Sequence, residues 1–119
     1  MSVILLLLLI VIIILVIKLI CTSDKFIPKI IHQQGPEDIK KWDKIWKKSR
    51  PTWLKHFPSA EYEHIFWTND MILELIKNEY PWLLNFYNKQ PKDIIRYDIS
   101  RIVMLHKYGG IYEDLDYEI

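Results

Sequence analysis

The chain has 119 residues, half of them hydrophobic, with 16 basic and 15 acidic side chains and a formal charge of +1. That length holds at most one domain, and the balanced charge gives no nucleic-acid partner a basic surface to bind. The single cysteine, Cys21, excludes a disulfide framework.

Val3 to Ile17 contains no polar residue, and after Lys18 the apolar run resumes through Leu19, Ile20 and Cys21. A helix over residues 1–21 rises roughly 30 Å at about 1.5 Å per residue, the thickness of the bilayer hydrocarbon core. The expectation is a transmembrane signal anchor over 1–21, a linker over 22–26 and a soluble portion over 27–119. A cleaved signal peptide is the alternative, because Cys21 and Ser23 are small residues at a spacing a signal peptidase accepts. Against it, no basic residue precedes the run, and the run exceeds the roughly 7 to 15 residues of such peptides. Lys18, Lys25 and Lys29 lie on the C-terminal side, which the positive-inside bias assigns to the cytosol, whereas a lumenal domain needs the opposite; orientation stays open. Cys21 reads either as an ordinary apolar residue at a helix end or as a lipid-modified one at the membrane border.

Phe26 to Gln33, "FIPKIIHQ", is rich in β-branched residues and stops before "QGP", which predicts a short buried strand. "GPEDIKKWDKIWKKS" then predicts one helix: Pro36 suits the first turn, Glu37 and Asp38 favour its N-terminus, and Ile39, Trp42, Ile45 and Trp46 recur on one face. Tyr62 to Trp67 has strand propensity, and "TND" offers an N-cap to a helix carrying Met71, Ile72, Leu75 and Ile76. Pro81 and Pro91 bracket a short apolar helix. In "KDIIRYDISRIVMLHKYGG", Ile95, Ile99, Ile102, Val103 and His106 share one side of a helix, and Gly109 is placed to end it in a left-handed conformation. Strands alternating with helices imply an α/β architecture with a largely parallel sheet.

The last segment, "GGIYEDLDYEI", crowds Glu113, Asp114, Asp116 and Glu118 together. If it is extended, Tyr112, Asp114 and Asp116 share one face and Ile111, Glu113 and Leu115 the other. Two carboxylates at i and i+2 at a strand mouth suit a hard divalent cation, Mn²⁺ or Mg²⁺, which takes oxygen ligands and commonly shares them with substrate phosphates. A D-x-D triplet alone carries little weight; the Gly-Gly-Ile-Tyr strand entry and the Asp98 and Arg101 pair on the preceding helix supply the context. The plain reading of that pair is an intrahelical ion pair contributing a few tenths of a kcal/mol. The plain reading of the acidic end is a solvated tail.

"IPKIIHQ", a tryptophan-rich middle and "RYDISRIVMLHKYGGIYEDLD" together resemble the DXD-containing sugar-transferase family that includes initiating α-mannosyltransferases and inositol-phosphoceramide mannosyltransferases. The resemblance spans about Ile27 to Tyr117. It implies an N-terminal transmembrane helix followed by an incomplete GT-A, Rossmann-like, nucleotide-sugar-binding half. The implied activity is transfer of a sugar from a GDP- or UDP-sugar donor to a glycan or glycolipid acceptor, with retention and with Mn²⁺ or Mg²⁺ bound through the D-x-D motif. The implied location is an endomembrane of Golgi or ER type. By position, Asp116 would be the direct metal ligand, and Asp114 would meet the metal through water or the ribose. Tyr112 would lie against the nucleotide, and Asp98 and Arg101 would hold donor hydroxyls or the diphosphate as the catalytic pair. Ile31 and His32 would end the first strand beside the base, a satisfied strand-end histidine being the alternative for His32.

Trp42, Trp46, Trp53 and Trp67 read as core rather than sugar platforms. Where family members carry an aromatic residue after the histidine, Gln34, Gly35 and Pro36 follow here. The family continues past the D-x-D with further strands, an acceptor region and a later histidine, so the chain is expected to be truncated after the motif. A module that binds nucleotide sugar or glycan without catalysis is the alternative function.

Overall fold

The computed structural model describes residues 2–22 and 26–119. Most of the linker expected over 22–26, including Ser23 and Lys25, lies outside the described residues, and so does the side chain of Cys21. Helix α1 runs from Val3 to Thr22, and every described side chain on it is exposed. Among the described residues, Val3–Ile20 is the one stretch of helix long and apolar enough to cross a membrane, a test that a signal sequence also passes.

The chain after α1 is built on a three-stranded parallel sheet in the order β2-β1-β3, with β1 at Ile30–Gln34, β2 at Glu63–Trp67 and β3 at Ile111–Tyr112. Parallel neighbours need crossover connections, and helices supply them. Strand β1 begins four residues later than the sequence suggests, because Pro28 has no N–H for a ladder and its carbonyl instead accepts from Ile30 in a tight turn of 2.8 Å. Its register pairs Ile31 with His64 on one side and with Ile111 on the other.

The helix predicted over residues 35–49 is broken. A 3-10 turn at Ile39–Lys41 stops at Trp42, whose backbone is extended and whose indole N–H donates to the Pro36 carbonyl at 2.7 Å while its ring packs on Phe66. That anchoring pulls the backbone out of helical register. Helix α2 then starts afresh at Lys44 and continues through Pro51 to His56. Its buried face is Ser49 and Trp53, one turn apart, whereas Ile39 and Ile45 of the expected stripe are exposed.

Helix α3, Asn69–Glu79, starts as predicted at Thr68, whose hydroxyl accepts from the Met71 amide. It buries Ile72, Leu75 and Ile76. Between Pro81 and Pro91 a 3-10 turn at Pro81–Leu83 leads into the short helix α4, Leu84–Asn88. Helix α5, Asp93–Tyr108, presents Ser100, Val103 and Met104 inward, with Ile99 beside them. Ile102 and His106, expected on that face, are turned outward; His106 Nδ1 meets the Tyr80 hydroxyl at 2.6 Å. The core joins these faces: Trp67, Ile72, Leu75, Ile76, Tyr87, Val103 and Met104. Each fully buried aliphatic side chain among them contributes about 1.5–3 kcal/mol.

The turn from α5 into β3 is what delivers the acidic end to the sheet. Gly109 caps the helix at φ 65° and ψ −160°, an extended mirror-image conformation open essentially to glycine rather than the left-handed α cap expected. Gly110 follows at φ 93°, and a Cβ on it would lie 2.5 Å from the Ile30 carbonyl oxygen. Gly110→Ala therefore carries about 1–3 kcal/mol of backbone strain before any clash. The expected result is a lower midpoint in denaturant titration of the full chain in detergent, followed by tryptophan fluorescence. An unchanged midpoint would contradict this account of the turn.

Candidate donor and metal site

The three strands run parallel, so their carboxyl ends, Gln34, Trp67 and Tyr112, share one edge. Ligands of open α/β sheets bind in the crevice outside that edge. A cleft of about 360 Å³ lies there. Gln34 and Gly35 enter it from β1, Asn69 from α3, and Ile94, Tyr97 and Arg101 from α5. Tyr112, Asp114, Leu115 and Asp116 line the other wall, with Trp46 and Pro36 completing it. Its size falls in the range of small-molecule sites.

Four polar side chains form a chain through this cleft. The Gln34 amide donates to the Tyr112 hydroxyl and to the Tyr97 carbonyl, both at 3.2 Å. Tyr112 donates in turn to Asp114 Oδ1 at 3.1 Å. The Arg101 guanidinium lies 4.8 Å over the Tyr112 ring and reaches Asp98 at 3.5 Å and Asp114 at 3.4 Å. Burial, with the Asp114 charge adding to it, pushes the Tyr112 hydroxyl up to about 12, so it stays a donor at neutral pH. Burial also raises Glu113, beside Asp114 and Asp116. Arg101 keeps its Nε–H buried without an acceptor.

Asp98, Arg101, Tyr112 and Asp114 are thus brought together. The segment does not stay extended to Asp116, as the alternation argument assumed. Strand pairing ends with the bond from the Glu113 amide to the His32 carbonyl at 2.9 Å, and a turn follows, closed by the Tyr117 amide on the Asp114 carbonyl. The cause is Leu115, buried against Gly35 and drawing the backbone inward. Asp114 and Asp116 nonetheless border the same cleft, and nothing among the described residues pairs with the Asp116 carboxylate. This donor set suits a hard divalent cation whose remaining ligands are water and phosphate, since Mg²⁺ in particular is commonly held by one or two carboxylates plus substrate oxygens. Among the described residues there is no cluster of three or more His, Cys, Asp or Glu able to hold a metal by itself.

His32 is not beside the cleft. It has 0% exposure; its Nδ1 accepts from the Trp67 indole at 2.9 Å, so its Nε2 carries the proton and donates to the Gly109 carbonyl at 2.8 Å. It is the satisfied core histidine of the alternative reading. Trp67 and Trp53 are core, whereas Trp46, read as core, lines the cleft. Sequence reasoning missed Gln34, Asn69, Ile94 and Tyr97. Gln34 had one usable signal, a polar residue at the end of a buried strand.

The chain is thus an α/β protein with a charged cleft at the carboxyl edge of a parallel sheet, the edge at which such sheets hold ligands. The chain is a member of the glycosyltransferase family whose sugar-binding region contains the DXD motif; the family model matches residues 43–119. The chain is 43% identical over 93 residues to a mannosyl phosphorylinositol ceramide synthase of Saccharomyces cerevisiae, covering 77% of this chain and 23% of that protein. It is 39% identical over 90 residues to inositol phosphoceramide mannosyltransferase 3 of Schizosaccharomyces pombe, covering 76% and 24%. It is 29% identical over 99 residues to an initiation-specific alpha-1,6-mannosyltransferase of Candida albicans, covering 79% and 25%. The chain therefore spans about a quarter of the length of these curated relatives. No solved structure matches it.

Burial of His32 holds its pKa below the ordinary 6.5, with the Gly109 bond opposing the shift. Below pH 6.5 the unfolded chain takes up a proton that the folded chain refuses. Stability is therefore fully present above that pH and lost as pH falls toward the folded pKa, by at most about 1.4 kcal/mol per pH unit for one proton. Denaturation midpoints at pH 7.5 and 5.5 should fall more steeply in the native chain than in His32→Gln. Parallel pH profiles would contradict the assignment.

Proposed function

We propose that this chain is the donor-binding part of a membrane-anchored glycosyltransferase that moves a hexose, mannose by analogy with its relatives' names, from a nucleoside diphosphate sugar to a glycolipid or glycan acceptor. Helix α1 is the anchor in this reading, the sheet is half of a GT-A fold, and the location is an endomembrane of ER or Golgi type. Retention of configuration is carried over from the family resemblance. The observation that carries the proposal is the convergence of Arg101, Tyr112, Asp114 and Asp116 on one cleft at the carboxyl edge of the sheet.

The chemistry follows from charge. Breaking the bond between an anomeric carbon and a phosphate oxygen leaves negative charge on the diphosphate, and fixed cationic donors stabilise it where it develops. Arg101 is held by Asp98 and by the Tyr112 ring and borders the cleft, where a guanidinium suits phosphate oxygens. Asp114 and Asp116 would hold Mn²⁺ or Mg²⁺, which when bound supplies charge neutralisation to the diphosphate. Gln34 fixes Tyr112, and Tyr112 fixes Asp114, so the carboxylate is oriented before ligand arrives.

A second reading is nucleotide-sugar binding without transfer, which uses the same cleft. Calorimetric titration of GDP and UDP into the full chain in detergent, with and without Mn²⁺, tests the shared part. The expected result is metal-dependent binding that Asp116→Asn weakens by about tenfold or more, equivalent to about 1.4 kcal/mol. Arg101→Ala should weaken nucleotide binding in the same assay. Binding indifferent to both metal and Asp116 would contradict the proposal, and release of sugar from the bound donor separates transferase from binder.

A further inference from the structure

The loop that carries Asp116 is gripped from beneath by α2, and the grip falls on the backbone to either side of that residue. Ser49, with 0% exposure, donates its hydroxyl to the Leu115 carbonyl, the peptide just before Asp116. Trp53, 6% exposed, donates its indole N–H to the Tyr117 carbonyl at 2.7 Å, just after it. The two donors are four residues apart on one helical face, about 6 Å along the axis. That spacing matches two carbonyls two residues apart in a bent segment. Both bonds use backbone oxygens and leave the Asp116 carboxylate out of the grip, at the border of the cleft. We infer that Ser49 and Trp53 are positioning residues that fix Asp116 in place for a divalent cation and the diphosphate it would carry.

Two further contacts lie outside this pair. Lys48 meets Glu118 at 3.1 Å, and the Ile119 amide meets the Thr52 hydroxyl at 3.3 Å. Lys48 and Glu118 are solvated, and such a pair is screened and holds little. The Ser49 bond is shielded from water, and losing it strands a buried carbonyl, whereas the Trp53 bond is half-buried. A loop without them must order itself when it binds, a conformational cost that lowers affinity. Groups that orient metal ligands from behind typically change metal affinity by about 10–100-fold when removed.

The inference rests on the metal assignment of the preceding reading, so its test carries a readout that needs no ligand. Ser49→Ala deletes one donor with little change of shape, Trp53→Phe deletes the other at the cost of a cavity beside Phe57, and Lys48→Ala is the control for the exposed pair. Backbone amide hydrogen exchange is followed at residues 115–119 and, for comparison, in β1 and α3; Mn²⁺ with GDP is titrated into the same full-length samples. The expected result is exchange accelerated by about tenfold in residues 115–119 alone, with Mn²⁺-dependent binding weakened by about tenfold, in Ser49→Ala and Trp53→Phe but not in Lys48→Ala. Unchanged loop exchange and unchanged affinity in either folded variant would overturn the inference. If the native chain binds neither Mn²⁺ nor GDP, the functional reading fails separately, and exchange alone decides the grip: acceleration confined to the loop upholds it, and none overturns it. Should Ser49→Ala not fold, Trp53→Phe carries the same comparison.

Discussion

The imidazole of His32 gives one nitrogen to each neighbour of the central strand. Trp67, the last residue of β2, donates to Nδ1, and Nε2 donates to the carbonyl of Gly109 at the turn into β3. A buried neutral histidine that spends both nitrogens in this way costs little, because neither is left unpaired, and it ties three strands through one ring. The glycines then complete the join, since Gly109 adopts a backbone open essentially to glycine and Gly110 leaves no space for a Cβ against Ile30. Without that docking, β3 would have no place beside β1, and Tyr112 and Asp114 would not face Gln34.

From there the cleft follows by short steps. The core packs α3 and α5 on the sheet, which sets Arg101 over Tyr112 and within reach of Asp114. The other support is α2, whose buried Ser49 and Trp53 receive the chain after Leu115. Asp114 is oriented by side chains within the cleft, whereas Asp116 is placed through its backbone. The two carboxylates of one motif thus depend on different parts of the fold, and loss of one support leaves the other standing.

Much of this was legible in the residues. The three strands, the Thr68 cap and the long helix before the double glycine could be read from period, propensity and spacing, whereas the grouping of Asp98, Arg101, Tyr112 and Asp114 was what the family resemblance implied. The failures share a cause. The broken helix at Trp42 and the turn after Asp114 are each decided by a partner distant in sequence: Phe66, and Gly35 with Ser49. Local patterns specify which residues can pair with a face, and tertiary contacts choose which face exists. Gln34 shows the same limit from the other direction, since a lone polar residue at a strand end becomes meaningful only when Tyr97 and Tyr112 are seen around it.

We propose that the carboxyl edge of the sheet holds a divalent cation between Asp114 and Asp116. The most direct test is paramagnetic broadening of backbone amide resonances by substoichiometric Mn²⁺ in the presence of GDP, on the isotopically labelled full chain in detergent. Selective loss of signal is expected around Gln34, Gly35 and residues 112–117, with Lys29 and Ile30 at the opposite edge of the sheet unaffected. Broadening centred elsewhere, or spread evenly over the acidic surface, would contradict it.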